Sequence, residues 1–306
     1  MSDQATCRDL VFAGLPATEL QLPCGDRVVV AQHGAHVLSW VAGGRERLYL
    51  SPQSVMDGRA AVRGGIPVCF PQFNVRGHLP KHGFARNLRW TANVPKLDAD
   101  QAHLALSLND SAATRQWWDQ AFEARLLIEL TPGALTVELA VRNTDSKPLT
   151  FTGALHTYFA VNDVAQARLL GLGGRAEWNA VTDQHGTAAP ELRFVGEFDR
   201  VYSAASQGYE LQDGPHALSI EQDMDWAHTV VWNPGADKCA ALTDMPANGW
   251  QHMLCVEAAQ VYEPIRIEAD QTRRLNITTG NVARPRIMSH PQRGTRPRKL
   301  PQRPSP

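Results

Sequence analysis

The chain has 306 residues, 43% hydrophobic and 20% charged, enough to bury the core of one large β domain or of two ordinary domains. Its 30 basic and 31 acidic residues look balanced, but residues 281–306 hold seven Arg or Lys and no acid, which leaves 23 basic against 31 acidic groups, about −8, in residues 1–280. An acidic body excludes the broad basic face of a nucleic-acid binder and leaves room only for a local cationic pocket.

The five cysteines, Cys7, Cys24, Cys69, Cys239 and Cys255, are odd in number and contain no CxxC pair, which argues against a disulfide framework or a zinc knuckle. No stretch approaches the eighteen apolar residues of a membrane span, and the N-terminus lacks a basic segment followed by an apolar run. The expected location is cytoplasmic.

Along the chain, short apolar runs end at Gly, Pro, Asn and Asp. Residues 27–31 and 35–41 are the first predicted strands. In VRGGIPVCFP, from Val62 to Pro71, two glycines and two prolines forbid a regular central strand, so an irregular segment laid against the core is expected. Its glycines would let the backbone approach a ligand and leave Arg63 free to clamp an anion. KHGFAR then places Lys81, His82 and Arg86 within six residues, a charged loop suited to an anion or simply to solvent.

Strands follow at 104–108, 123–130 and 135–141, the last alternating Leu135, Val137, Leu139 and Val141 with Thr136, Glu138, Ala140 and Arg142. Residues 112–122, around Trp117 and Trp118, are the best helix candidate. In TGALHTYFAV, period two puts His156 and Tyr158 on one face and Leu155, Thr157 and Phe159 on the other. A histidine there is either a hydrogen-bonded core residue or a site residue.

Further strands are predicted at 217–220 and 228–232. In MLCVEAA, Glu257 stands in the middle of an apolar strand, where an unpaired carboxylate costs several kcal/mol unless it finds a partner, a cavity or a raised pKa. It is the strongest single-residue signal in the sequence. Residues 281–306, with six prolines, have too little apolar surface to offset their ordering entropy and are expected to be a disordered tail. Strands throughout, without βα alternation, a linker or an internal repeat, predict an all-β fold of packed, largely antiparallel sheets in a single domain over residues 1–280.

RGGIPVCFPQF, LPKHGFARNLRW, TGALHTYFAV, EFDRVY and CVEAA, in this order, resemble the glucose-6-phosphate 1-epimerases (hexose-6-phosphate mutarotases) of the aldose 1-epimerase family, from about residue 10 to about residue 270. The resemblance implies a β-supersandwich of the galactose mutarotase type and an isomerase that interconverts the α and β anomers of a hexose 6-phosphate. By position, His156 matches the general acid and Glu257 the general base. His82 and Asp199 match residues that contact sugar hydroxyls, and Arg63 and Arg86 match those associated with the 6-phosphate.

No cofactor, metal, nucleic acid or membrane is implied. The partner is the small-molecule sugar phosphate, and the working expectation is a monomer. The rival readings are an epimerase of unphosphorylated aldoses, which two arginines argue against, and a non-catalytic sugar-phosphate-binding protein, which retention of both His156 and Glu257 argues against. Three features depart from the family pattern: Asn74 replaces a usual glycine, Lys81 stands where neutral residues are common, and the final strand is hard to recognise in residues 267–276.

Overall fold

The computed structural model describes residues 4–204 and 208–281. The basic segment from 282 to 306 lies outside the described residues. Three sheets make up the fold, and every ladder between their strands is antiparallel among the described residues. The first is a five-stranded meander from Thr6–Phe12 to Arg45–Glu46.

The second has ten strands. Its centre is Thr272–Asn281, flanked by Ala134–Asn143 on one side and His216–Gln222 on the other. Leu275 and Ile277 of that strand point inward, so the final strand exists and follows the period-two rule. Its lead-in turn uses Asp270 at φ +59°.

The third sheet has eight strands. In neighbouring order its central members are Ala176–Asn179, Phe198–Ser203, His228–Asn233, Met253–Ile267 and Leu149–Leu155, with the two-residue Val68–Cys69 at one edge. One apolar cluster draws on all three sheets, including Val28 and Trp40, then Leu106 and Leu126, then Phe151, Leu155 and Val256. Each fully buried large side chain of this kind contributes about 1.5 to 3 kcal/mol.

The predicted strands are present: Arg27–Ala31 has the expected bounds, the strand expected at 35–41 runs Val37–Ala42, and the others extend by a residue or two at one or both ends. The helix is shorter than predicted. It covers only Ala112–Trp117, capped by a reciprocal pair in which the Ser111 hydroxyl accepts from the Thr114 amide at 3.2 Å and Thr114 Oγ1 accepts from the Ser111 amide at 2.8 Å. Phe122 instead opens a strand whose alternation, with Ala124 and Leu126 buried, overrides any helical continuation. No helix among the described residues is long and apolar enough to cross a membrane.

Candidate active site

The site lies on the eight-stranded sheet. Trp178 pairs with Val201, Val201 with Val230, and Val230 with Glu257, so these four stand in one row across neighbouring strands. A second row runs from Asp199 through Trp232 and Cys255 to Tyr158. All of these except Cys255 line one cavity, which is closed by Arg63, the loop from Phe73 to Arg86, His156 and Lys238. Side chains two apart on a strand share a face, which is why these rows converge.

His156 comes from a deliberate break in pairing. The Leu149–Leu155 strand shifts register against Met253–Ile267 between Phe151 and Gly153, pairs again from Gly153 to Leu155, and after a gap at His156 and Thr157 pairing resumes at Tyr158. The His156 amide donates to Pro67 O at 3.0 Å in the irregular segment. One register holds on both sides of the gap, from Leu155 opposite Ala258 to Tyr158 opposite Cys255, so His156 stands across from Glu257. His156 Nε2 lies 3.3 Å from Glu257 Oε1, and the His156 ring stacks on Tyr158 with centroids 4.8 Å apart and planes 11° from parallel. Leu155 and Phe159 face the core, as the period-two reading requires.

The pair is buried: Glu257 is 2% exposed and His156 8%. Burial, then the charge of Asp199, pushes the Glu257 carboxyl well above its ordinary pKa. Burial, then His82, Arg86 and Arg63, pushes His156 well below its own. Two atoms of the pair, Glu257 Oε2 and His156 Nδ1, are buried without a hydrogen-bond partner among the described residues.

His82 is the second histidine of the cavity. It sits at φ +66°, and its Nδ1 accepts from the Asn74 amide at 3.2 Å. Burial, followed by Arg86, Lys81 and Arg63, takes it down to about 3. A neutral imidazole that accepts at Nδ1 carries its proton at Nε2, so His82 is a donor to the cavity. Asn74 takes the φ of +50° that a glycine would favour, and the Gln72 side chain bonds Asn74 O, Leu79 O and the Leu79 amide to hold the loop in shape. Asp199, raised by burial and Glu197 against the opposing charges of Lys238 and Lys81, lines the same cavity.

The structure corrects the expectation for Arg63. Its guanidinium is not free: Nε and Nη2 each reach Asp244 Oδ2 at 3.1 Å, and Nη1 donates to the Tyr158 hydroxyl at 3.1 Å. The adjacent glycines bring the backbone close to the protein itself, not to a ligand. A Cβ on Gly64 would stand 2.3 Å from Tyr49 O, and one on Gly65 would stand 2.2 Å from Val37 O. Arg86 Nη2 donates to Lys81 O at 2.7 Å.

All six sequence-predicted residues line the cavity, and Lys81 joins them. Sequence reasoning missed Arg76, Lys238, Trp178 and Trp232. Arg76 stacks 5.0 Å over Trp178 and 5.1 Å over Tyr262, and Lys238 pairs with Glu197. Five cations and two carboxylates thus surround the space, so its field favours an anion although the body is acidic.

A profile described as aldose 1-epimerase matches residues 16–279. The chain belongs to the aldose 1-epimerase family. An Escherichia coli K12 relative, provisionally named glucose-6-phosphate 1-epimerase, is 34% identical over 258 residues, covering 80% of this chain and 83% of its own. A crystal structure from Salmonella typhimurium, provisionally described as a mutarotase, superposes with a TM-score of 0.83 at 28% identity over 93% of this chain and 95% of that one. A galactose mutarotase related enzyme from Lactobacillus acidophilus shares the fold, with a TM-score of 0.70 at 14% identity over 90% and 98% of the two chains.

Proposed function

We propose that this epimerase interconverts the α and β anomers of a hexose 6-phosphate, glucose 6-phosphate being the first to test, by acid–base ring opening and reclosure. The observation that carries the reading is the buried His156–Glu257 pair, 3.3 Å apart and facing a cavity walled by five cations. Mutarotation moves one proton off the anomeric hydroxyl and one onto the ring oxygen. It requires one base, one acid and no redox change.

Sequence reasoning assumes an ionised Glu257 beside a protonated His156. The surroundings of the pair favour the other tautomer in the free enzyme, with the proton on Glu257 and a neutral imidazole. Both states hold the same single proton, so a transfer along the 3.3 Å contact interconverts them. A phosphate dianion offsets the cations that depress His156 and thereby draws the proton to it.

Carboxylate Glu257 then takes the anomeric proton while imidazolium His156 supplies the ring oxygen. The aldehyde turns about C1–C2, and reclosure reverses the roles. Each group positioned in this way contributes ~10² to 10⁴-fold. Neutral His82 donates to a sugar oxygen, Asp199 accepts from a hydroxyl, and Arg86 and Lys81 meet the phosphate. Arg63 reaches the phosphate only with the donors that Asp244 and Tyr158 leave unused.

That occupation of Arg63 favours a second reading, an epimerase of unphosphorylated aldoses on the same acid–base pair. Exchange NMR on freshly dissolved α-glucose 6-phosphate and α-glucose separates the two. Faster anomerisation of the phosphate ester supports the first reading, equal or greater acceleration of glucose supports the second, and no acceleration of either sinks both.

A further inference from the structure

Cys255 is a buried nucleophile that the proposed reaction does not use, and it stands two residues before Glu257 on the same strand face. One ligand atom from each of His156, Cys255 and Glu257 lies within 4.8 Å of the other two. We propose that these three residues form an inhibitory site for a thiophilic divalent cation of the zinc class, seated on the acid–base pair itself.

An imidazole, a thiolate and a carboxylate are the donor types that borderline-soft ions select. Bond lengths of about 2.0 to 2.3 Å put one sulfur, one nitrogen and one oxygen donor of a tetrahedral site roughly 3.3 to 3.6 Å apart, so closing on a metal asks for side-chain movement of about an ångström. The His156–Glu257 contact is already 3.3 Å. Glu257 Oε2, buried and without a partner among the described residues, supplies a lone pair at no cost in broken hydrogen bonds. The fourth position opens to the cavity.

Binding breaks the Cys255 S–H bond and forms a metal–sulfur bond, and any proton on Glu257 leaves in the same way. Both protons go to solvent, and no electrons are transferred. The cationic walls oppose the ion, but Arg63 and Lys238 already have the carboxylates of Asp244 and Glu197 beside them. A bound ion would occupy both groups that ring opening needs, so the site acts against that reaction and is not a cofactor site for it.

The test uses the full chain and does not depend on the substrate. Cd²⁺ titration should raise a thiolate-to-metal charge-transfer band in the near ultraviolet, and Zn²⁺ should then remove it by displacement. Cys255→Ser and Cys255→Ala should each abolish the band and weaken binding at least ~10-fold, since even outer-shell changes cost that much. His156→Asn should keep the band and weaken binding. Thermal melts without metal check that the variants fold, and having two variants at position 255 guards against the loss of one. A wild type with no band overturns the proposal, as does a band that survives at full strength in a folded Cys255 variant, which would place the ion on another thiol such as exposed Cys24.

Discussion

The two large sheets obey one rule and use it differently. In the ten-stranded sheet, Phe122–Thr131 and Ala134–Asn143 bury every second side chain and leave the others half-buried or exposed, apart from buried Ala140. In the eight-stranded sheet, residues 253–261 of Met253–Ile267 are buried without interruption, because the second face packs Met253 and Cys255 into one small apolar cluster and Ala259 and Val261 into another, with Glu257 between them at the cavity. A contact between an acid and a base therefore has different consequences. Glu138 and Arg274 meet at 2.6 Å on the outer face with 21% and 62% of their side chains exposed, whereas His156 and Glu257 meet at 3.3 Å almost without water. Solvent screening leaves the first pair worth little, while desolvation makes the second reactive.

The contrast breaks first at the buried pair. Glu257→Gln and His156→Asn should each lower anomerisation at least ~10²-fold while leaving the melting curve close to that of the wild type. Near-normal turnover in either would reduce the pair to a structural contact.

The cations come next. Arg86→Ala removes a charge-assisted bond worth roughly 1.5 to 3 kcal/mol and should weaken glucose 6-phosphate about 10- to 150-fold while sparing glucose. Arg63→Ala should harm both substrates, because it also strips the donors from Asp244 and from the Tyr158 hydroxyl. KM and kcat for the two sugars in both variants measure the split.

Stability against pH sharpens the comparison on a smaller scale. Burial takes His36 to about 4, and its Nε2 contacts Gly64 O at 2.7 Å. Between about 6.5 and about 4 the unfolded chain binds a proton there that the folded chain refuses. Stability therefore falls as pH falls through that window, by on the order of 1 kcal/mol per pH unit. His82, lowered to about 3, acts in the same direction. Glu257, raised, acts oppositely above its ordinary range, where stability declines as pH rises. Melts at pH 7 and pH 5 should show the net loss on acidification, and His36→Gln should flatten it.

The smallest effect belongs to the outer face. Glu138→Ala should change stability by less than about 1 kcal/mol and leave turnover unchanged. A larger loss would mean that this face is less solvated than its exposure indicates.

What could be read from the sequence follows the same division. Alternation located the strands, and the cost of an isolated carboxylate singled out Glu257, because both are local signals. His156 is ambiguous alone, since its place opposite Glu257 depends on register with a strand a hundred residues away. Trp178, Trp232, Arg76 and Lys238 reach the site only through register and loop packing, which no short motif records. Asp244, which ties up Arg63, carries no sequence signal beyond being an acid in a loop. The apolar spacing of 112–122 is indifferent and gives no end point for the helix, whereas Phe70 packs on Trp118 and on Phe122 of the next strand.

The order of synthesis follows from where the last strands sit. Met253–Ile267 and Thr272–Asn281, the final two described elements, occupy the interiors of the two large sheets. While the nascent chain lacks them, Ala134–Asn143 and His216–Gln222 present bare hydrogen-bonding edges, and the eight-stranded sheet is split between His228–Asn233 and Leu149–Leu155. Neither sheet can close by stages from the N-terminus. Closure of the two large sheets must therefore wait for residues 253–281, and during that wait the half-built sheets are the part of this protein most exposed to aggregation.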